Sequence, residues 1–141
     1  MGRVDRTGRQ TKRNSGGKVK QTIVARGTEL KVSVALGAAS GDFLWDTGAS
    51  VTTVGYGTAK AFRLLDSSNR PLGAHQTGTI TTANNQTVNS FIFKRKRIVV
   101  RHGGRSYTIT TDIHVMRNGK RLLGVPAIRA LRKEGLVVKF A

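Results

Sequence analysis

The sequence contains no cysteine and few acidic or aromatic residues. The lack of cysteine excludes disulfides, zinc–thiolate sites, iron–sulfur clusters and a thiol nucleophile. Only seven carboxylates and three histidines occur in 141 residues, so a catalytic centre must be built from few groups. No apolar run approaches the length of a membrane span, and the polar start is unlike a secretory signal. We therefore expect a soluble chain with no membrane partner, no metal and no cofactor.

Basic residues outnumber acidic residues along the whole chain. Lys and Arg total 25, and the formal net charge is +18. Residues 1–20 hold seven of these with few apolar side chains, so they are expected to form a disordered basic leader. Residues 21–141 hold the other 18 beside six carboxylates, so the remaining domain is basic as well. This charge favours non-specific contact with nucleic acid through the leader and Lys94–Arg97, although a solvated strand explains that run equally well.

Beyond residue 20 the sequence has the pattern of a β protein, since Val, Ile and Thr are abundant and Gly and Asn break short runs. We expect strands over 22–25, 30–36, 43–45, 51–54, 78–83, 87–93, 94–100, 106–111, 112–116, 120–123 and 136–140. Asn84-Asn85 and residues 102–105 mark two hairpins. Residues 58–65 are a candidate helical turn, and Pro126 begins a helix that ends near residue 133. The expected fold class is all-β, a small closed β-barrel with one short C-terminal helix.

One segment carries most of the chemical interest, and it begins with Asp46 directly after three apolar residues. The apolar run predicts a buried strand, Gly48 permits a tight loop, and the Thr47 hydroxyl can brace that loop. An aspartate that only caps a turn is the alternative interpretation. The Asn84-Asn85 hairpin and the later Leu-Leu-Gly at 122–124 favour a functional loop over that alternative.

This order of motifs resembles the retropepsin-like aspartic proteases over about residues 21–140. The matching parts are an N-terminal strand, the Asp-Thr-Gly-Ala-Ser segment, a flap hairpin near 79–90, the Leu-Leu-Gly before a helix, and a final strand. The resemblance implies a barrel of the retropepsin (acid protease) type over 21–141. It also implies an aspartic endopeptidase that cleaves extended polypeptides such as polyproteins, located in the cytoplasm or in a virion-like particle.

The resemblance further implies a homodimer, because the chain has one Asp-Thr-Gly and the chemistry needs two carboxylates that share a proton. Asp46 from each chain would activate a water, with Thr47 and Gly48 completing the catalytic loop. The terminal strands, 21–25 and 136–140, would interleave in the dimer. The residues expected to contact the polypeptide substrate are Ala49, Ser50, Ala83, Asn84 and Asn85.

Two other functions remain consistent with the sequence. One is a basic β-barrel module that binds RNA or DNA, in which Asp46 is only structural. The other is a retropepsin fold kept for dimerisation without activity. His114, two residues after Asp112, is interpreted as part of a surface pair on a strand, because no cluster of further metal ligands accompanies it.

Overall fold

The computed structural model describes residues 20–27 and 29–141. The predicted basic leader, residues 1–20, therefore lies outside the described residues except for Lys20. No helix in the described part of the chain is long and apolar enough to cross a membrane. The elements are β1 (Gln21–Ala25), β2 (Lys31–Leu36), β3 (Ala39–Trp45), β4 (Thr52–Val54), α1 (Tyr56–Ala61), β5 (Gln76–Thr81), β6 (Thr87–His102), β7 (Arg105–Val115), β8 (Leu122–Leu123), α2 (Val125–Lys133) and β9 (Leu136–Phe140).

Six strands close into a barrel. Hydrogen-bonded neighbours follow the order β2-β3-β8-β4-β7-β6, and β6 pairs again with β2. Strand β5 lies outside the closed ring and extends β6 into a hairpin. The mostly β, closed-barrel architecture expected from the sequence is confirmed. The C-terminal helix is confirmed too, and it carries Pro126 in its first turn, where the missing N–H costs no helical hydrogen bond.

The barrel interior is built by alternation along the strands. In β7, Tyr107, Ile109 and Ile113 are buried, whereas Thr108 and Thr110 between them are exposed. This period of two places one face of each strand in the core. The core also takes in side chains from both helices, and its largest fully buried members are Phe43, Phe93, Leu64, Leu65, Ile98, Ile113, Leu123, Leu131 and Leu136.

Strand β6 corrects the expected strand boundaries. The sequence suggested a break between 93 and 94, but β6 is continuous and carries a bulge between Phe93 and Lys96. Phe93 and Ile98 both face the core although they are five residues apart, which the bulge makes possible by shifting the alternation. Arg95 occupies a left-handed backbone conformation there, with φ 52°. The predicted break before residue 112 is likewise absent, because β7 continues to Val115.

The candidate helical turn at 58–65 is present as a short helix with shifted bounds. Helix α1 spans Tyr56–Ala61, which is earlier and shorter than the candidate turn at 58–65. The chain leaves the helix because Arg63 adopts φ 59°. The amides of Leu64 and Leu65 then both donate to the Ala59 carbonyl, and both side chains enter the core.

The terminal strands pair with each other inside one chain. Strands β1 and β9 form a parallel two-stranded sheet that begins with Gln21 opposite Leu136. The sequence suggested that these strands interleave between two chains, whereas in the single chain they pair with each other. Among the described residues, each of the two strands has one edge without a strand partner. Val24 and Phe140 in this sheet are 62% and 42% exposed, which leaves apolar surface at the edges.

Candidate active site

The Asp46 loop lies where three barrel strands meet. Strand β8 is inserted between β3 and β4, parallel to the first and antiparallel to the second. The chain that connects β3 to β4, residues 46–51, must therefore cross the end of β8. The Asp46 amide donates to the Leu123 carbonyl at 3.0 Å, and the Val125 amide donates to the Ala49 carbonyl at 2.8 Å. The loop is thus attached at Asp46 to the end of β8 and at Ala49 to the start of α2.

The Asp46 carboxylate is positioned but accessible. Its Oδ1 accepts the Gly48 amide at 2.9 Å, and the Ala49 amide donates to the Asp46 carbonyl at 3.2 Å. Within residues 20–27 and 29–141, Oδ2 has no hydrogen bond. Asp46 is partly exposed, whereas Trp45 before it is 5% exposed. One carboxylate oxygen is therefore fixed by the loop, and the other makes no hydrogen bond to a described residue.

The other predicted residues of this loop lie beside the carboxylate. A Cβ on Gly48 would lie 3.4 Å from Asp46 Oδ1 and touch nothing else closely, so the loop around it is open. Thr47 and Ser50 are exposed and Ala49 is half-buried. The Thr47 hydroxyl makes no hydrogen bond to a described residue, so the bracing expected from it is supplied inside one chain by backbone groups.

The support beneath the loop is a buried hydrogen bond that was not predicted from the sequence. Gly124 donates its amide to the Thr52 hydroxyl at 3.0 Å, and both residues are buried. A Cβ on Gly124 would lie 2.4 Å from the Val51 carbonyl group, so only glycine fits at this crossing. The glycine was visible in the Leu-Leu-Gly motif, but no local signal indicated that Thr52 would be its partner from 72 residues away.

The predicted hairpin tip is present between β5 and β6. The Thr82 amide donates to the Gln86 carbonyl at 2.8 Å, and Asn85 adopts φ 67°, as expected for an asparagine in a tight turn. Ala83, Asn84 and Asn85 are all exposed. In the described part of the chain, no hydrogen bond joins this tip to the Asp46 loop. The two sets of predicted residues are therefore brought onto separate elements and not into direct polar contact.

A cavity of about 540 Å³ lies at the base of the same hairpin and does not include Asp46. The Ser90 hydroxyl on its wall is buried and has no hydrogen-bond partner among the residues described. The lining residues are Tyr56, Thr77, Gly78, Thr79, Asn89, Ser90 and Phe91.

Asp112 and His114, the expected pair, both lie on β7 and are both half-buried. Asp112 accepts the Arg95 amide at 2.8 Å and pairs with the Lys94 ammonium at 2.9 Å. Burial raises the pKa of Asp112, but the Lys94 and Arg95 hydrogen bonds outweigh it and leave the pKa below its usual value. His114 is half-buried, and its Nδ1 finds no partner among the described residues. Burial lowers the pKa of His114, although the nearby Asp112 charge opposes this.

No model of a known protein family matches the chain, and the search of curated proteins finds no match to it. Across the part of the chain that the structure describes, no group of three or more His, Cys, Asp or Glu side chains is placed to hold a metal ion. The function is therefore inferred from the Asp46 loop and its supports.

Proposed function

We propose that this chain is an aspartic endopeptidase of the retropepsin type that acts as a homodimer on extended polypeptides. The observation that carries the proposal is the setting of Asp46. Its carboxylate lies at the end of a buried strand, one oxygen accepts the Gly48 amide, and the loop is attached by backbone hydrogen bonds to β8 and α2. A carboxylate that is both fixed and accessible is what activation of a water molecule requires.

The chemistry follows from placing two such loops on a twofold axis. Two neighbouring carboxylates cannot both ionise, so the pair would share one proton. The ionised Asp46 would accept a proton from water as the water attacks the peptide carbonyl. The protonated Asp46 of the second copy would donate its proton to the developing oxyanion. Thr47, whose hydroxyl has no partner among the described residues, is free to donate across the axis to the other loop.

A dimer is also favoured by the surface of the single chain. Val24 and Phe140 expose apolar area in the β1–β9 sheet, and the free edge of each strand offers unpaired backbone groups. The cavity at the hairpin base is separate from Asp46. A substrate cleft formed between two copies would leave only half of its wall on one chain, so no enclosed cavity at Asp46 is expected.

The substrate class follows from the elements beside the loop. The β5–β6 hairpin carries exposed residues Ala83, Asn84 and Asn85 at its tip, and such a hairpin can close over an extended peptide and exclude bulk water. Ala49 and Ser50 lie beside the carboxylate and can contact the substrate backbone. An extended polypeptide bound through its backbone fits this arrangement better than a small molecule.

The decisive experiment compares Asp46→Asn with Asp42→Asn. Asp42 lies on the same strand with an exposed side chain, so its substitution changes the same charge without touching the loop. Cleavage of an unstructured peptide library would be followed by mass spectrometry, and the dimer by sedimentation. We expect Asp46→Asn to lose about 10²- to 10⁴-fold in cleavage rate with the dimer intact, and Asp42→Asn to retain activity.

Two results would overturn the proposal. The first is cleavage by Asp46→Asn at the rate of the parent. The second is a parent dimer that cleaves no peptide in the library across acidic and neutral pH. A statine-type mimic of the tetrahedral intermediate should also inhibit the parent and should not bind Asp46→Asn.

A further inference from the structure

We propose that the outward face of β6, with its neighbours on β2 and β7, binds the phosphate backbone of a nucleic acid. The residues of this arginine face are Arg97, Arg101, Ser33, Ser106, Thr108 and Thr110. This binding does not depend on the proposed peptidase activity, because none of these residues belongs to the Asp46 loop or its supports.

Strand register brings the basic and hydroxyl side chains together. Arg97 lies opposite Thr110, and Arg101 lies between Ser106 on one side and Ser33 on the other. Residues opposite each other in a sheet project from the same face. Ile98 and Val100, which alternate with the arginines, are 1% and 0% exposed, so they define the inward face. Arg97 and Arg101 therefore project outward, and both are exposed.

The two arginines are separated and free to bind. Four residues along a strand correspond to about 13 Å, so each guanidinium can reach a different phosphate. Within residues 20–27 and 29–141, neither Arg97 nor Arg101 forms an ion pair or donates a side-chain hydrogen bond. Their donors are therefore available, and the adjacent hydroxyls can add hydrogen bonds to phosphate oxygens.

The side chains of the run Lys94–Arg97 have different surroundings in the structure. The Lys94 ammonium is paired with Asp112, which also accepts the Arg95 amide. Lys96 lies opposite the buried Thr111 and shares the inward face with Ile98. Only Arg97 of the run belongs to the arginine face. Arg101, which lies outside the run, projects from the same face of β6 because it is four residues further along the strand.

The local charge favours an anionic partner. Asp112, at the Thr110 end of β7, is already paired with Lys94, and Asp42 lies opposite Ser33 at the far edge of the face. Residues 21–141 carry 18 basic and six acidic side chains, so the long-range field also attracts polyanions. The face holds no aromatic side chain on which a base could stack, so we infer contact with the backbone without sequence preference.

The test uses the full chain and two matched double variants. Arg97→Ser with Arg101→Ser removes two charges from the arginine face. Arg129→Ser with Arg132→Ser removes two charges from exposed positions on α2. Binding of a labelled 20-nucleotide RNA would be measured by fluorescence anisotropy over a salt series, with a duplex DNA of equal length as a second probe. Thermal denaturation would show that both variants are folded.

We expect the face variant to weaken RNA binding on the order of tenfold at low salt. The slope of log affinity against log salt should fall by about 1.4, which corresponds to two phosphate contacts on a single strand. The α2 variant should change the slope by less than half as much. Asp46→Asn should bind RNA as the parent does, which separates this proposal from the peptidase.

Equal losses in the two double variants would overturn the proposal, because they would reduce the effect to net charge. An unchanged slope in the face variant would also overturn it. Binding of the same variants to vesicles rich in phosphatidylserine would also be measured. A face variant that loses vesicle binding but keeps RNA binding would assign the arginine face to a membrane surface and contradict the assignment to nucleic acid.

Discussion

The amide of Gly124 donates to the hydroxyl of Thr52 across 3.0 Å in a buried position. Thr52 begins β4 and Gly124 follows β8, so the bond connects the two strands directly beneath the Asp46 loop. The neighbouring Leu123 carbonyl accepts the Asp46 amide, which links the same crossing to the candidate catalytic residue. The stability of this crossing and the position of the carboxylate should therefore change together.

Thr52→Val should destabilise the protein by about 1–3 kcal/mol, because it keeps the side-chain shape but leaves a buried amide without an acceptor. Thr52→Ser keeps the hydroxyl and loses only a methyl group, so it should cost less. Urea denaturation of the two variants measures the difference. A Thr52→Val variant as stable as the parent would show that this hydrogen bond does not contribute to stability.

Gly124→Ala should destabilise the protein by about 3 kcal/mol or more, because its Cβ would lie 2.4 Å from the Val51 backbone, which cannot move aside like a side chain. Gly57→Ala is the matched control. A Cβ at Gly57 meets nothing within 4 Å, and the residue lies in α1, so the change should stabilise by up to about 1 kcal/mol. Urea denaturation of both variants measures the two changes in the free energy of unfolding. Similar changes would show that a Cβ at Gly124 is not crowded by the Val51 backbone.

Stability should fall as the pH is lowered from about 7.5 toward 5.5, and His114 should be a main cause. Burial lowers the pKa of His114 in the folded state below the unfolded value of about 6.5. Between these two values the unfolded chain binds more protons, so acidification favours unfolding. His114→Gln should flatten the dependence of melting temperature on pH in this range. A pH dependence in His114→Gln equal to that of the parent would contradict the assignment.

Local pattern was sufficient for much of the fold. Alternating apolar residues predicted most strands, Pro126 predicted the start of α2 to within one residue, and Asn85 predicted a turn that requires positive φ. Each of these signals is carried by neighbours in the sequence. The loop at Asp46 could also be predicted from neighbouring residues, because the apolar strand and the Asp-Thr-Gly that follows it are consecutive in the sequence.

The missed features depend on residues that are far apart in the chain. In the sequence, the region around Arg95 resembles a break between two strands. In the structure it is a bulge within β6, where the Arg95 amide donates to the carboxylate of Asp112, 17 residues away. The support from Thr52 to Gly124 spans 72 residues. The pairing of β1 with β9 joins the two ends of the domain. No periodicity within a short window specifies such partners.

Asp112→Ala should destabilise the protein at neutral pH by about 1 kcal/mol, because the Arg95 amide loses its acceptor at the bulge. Asp112→Asn keeps an acceptor oxygen and should cost less. The lowered pKa of Asp112 means that its charged form stabilises the fold above the usual carboxyl value near 3.8. That contribution is lost as the pH falls through the folded value. Urea denaturation at pH 7 and pH 3 should therefore show parent and Asp112→Asn converging at the lower pH, and a constant difference would contradict this.

The last prediction concerns association of two chains through the β1–β9 sheet. Three large apolar side chains are clearly exposed in the described residues, and two of them, Val24 and Phe140, lie in this sheet. Phe140→Lys should weaken dimerisation at least tenfold, because a charge would be buried in the interface. Leu72→Lys is the control, since Leu72 is 44% exposed and lies outside the sheet.

Sedimentation measures the association, and peptide cleavage over a range of protein concentrations measures its consequence. If each chain contributes one Asp46, the Phe140→Lys variant should regain cleavage at high concentration as the dimer reforms. Leu72→Lys should follow the parent at every concentration. Cleavage proportional to protein concentration in a strictly monomeric Phe140→Lys sample would show that a single Asp46 is sufficient and would remove the reason for a shared pair.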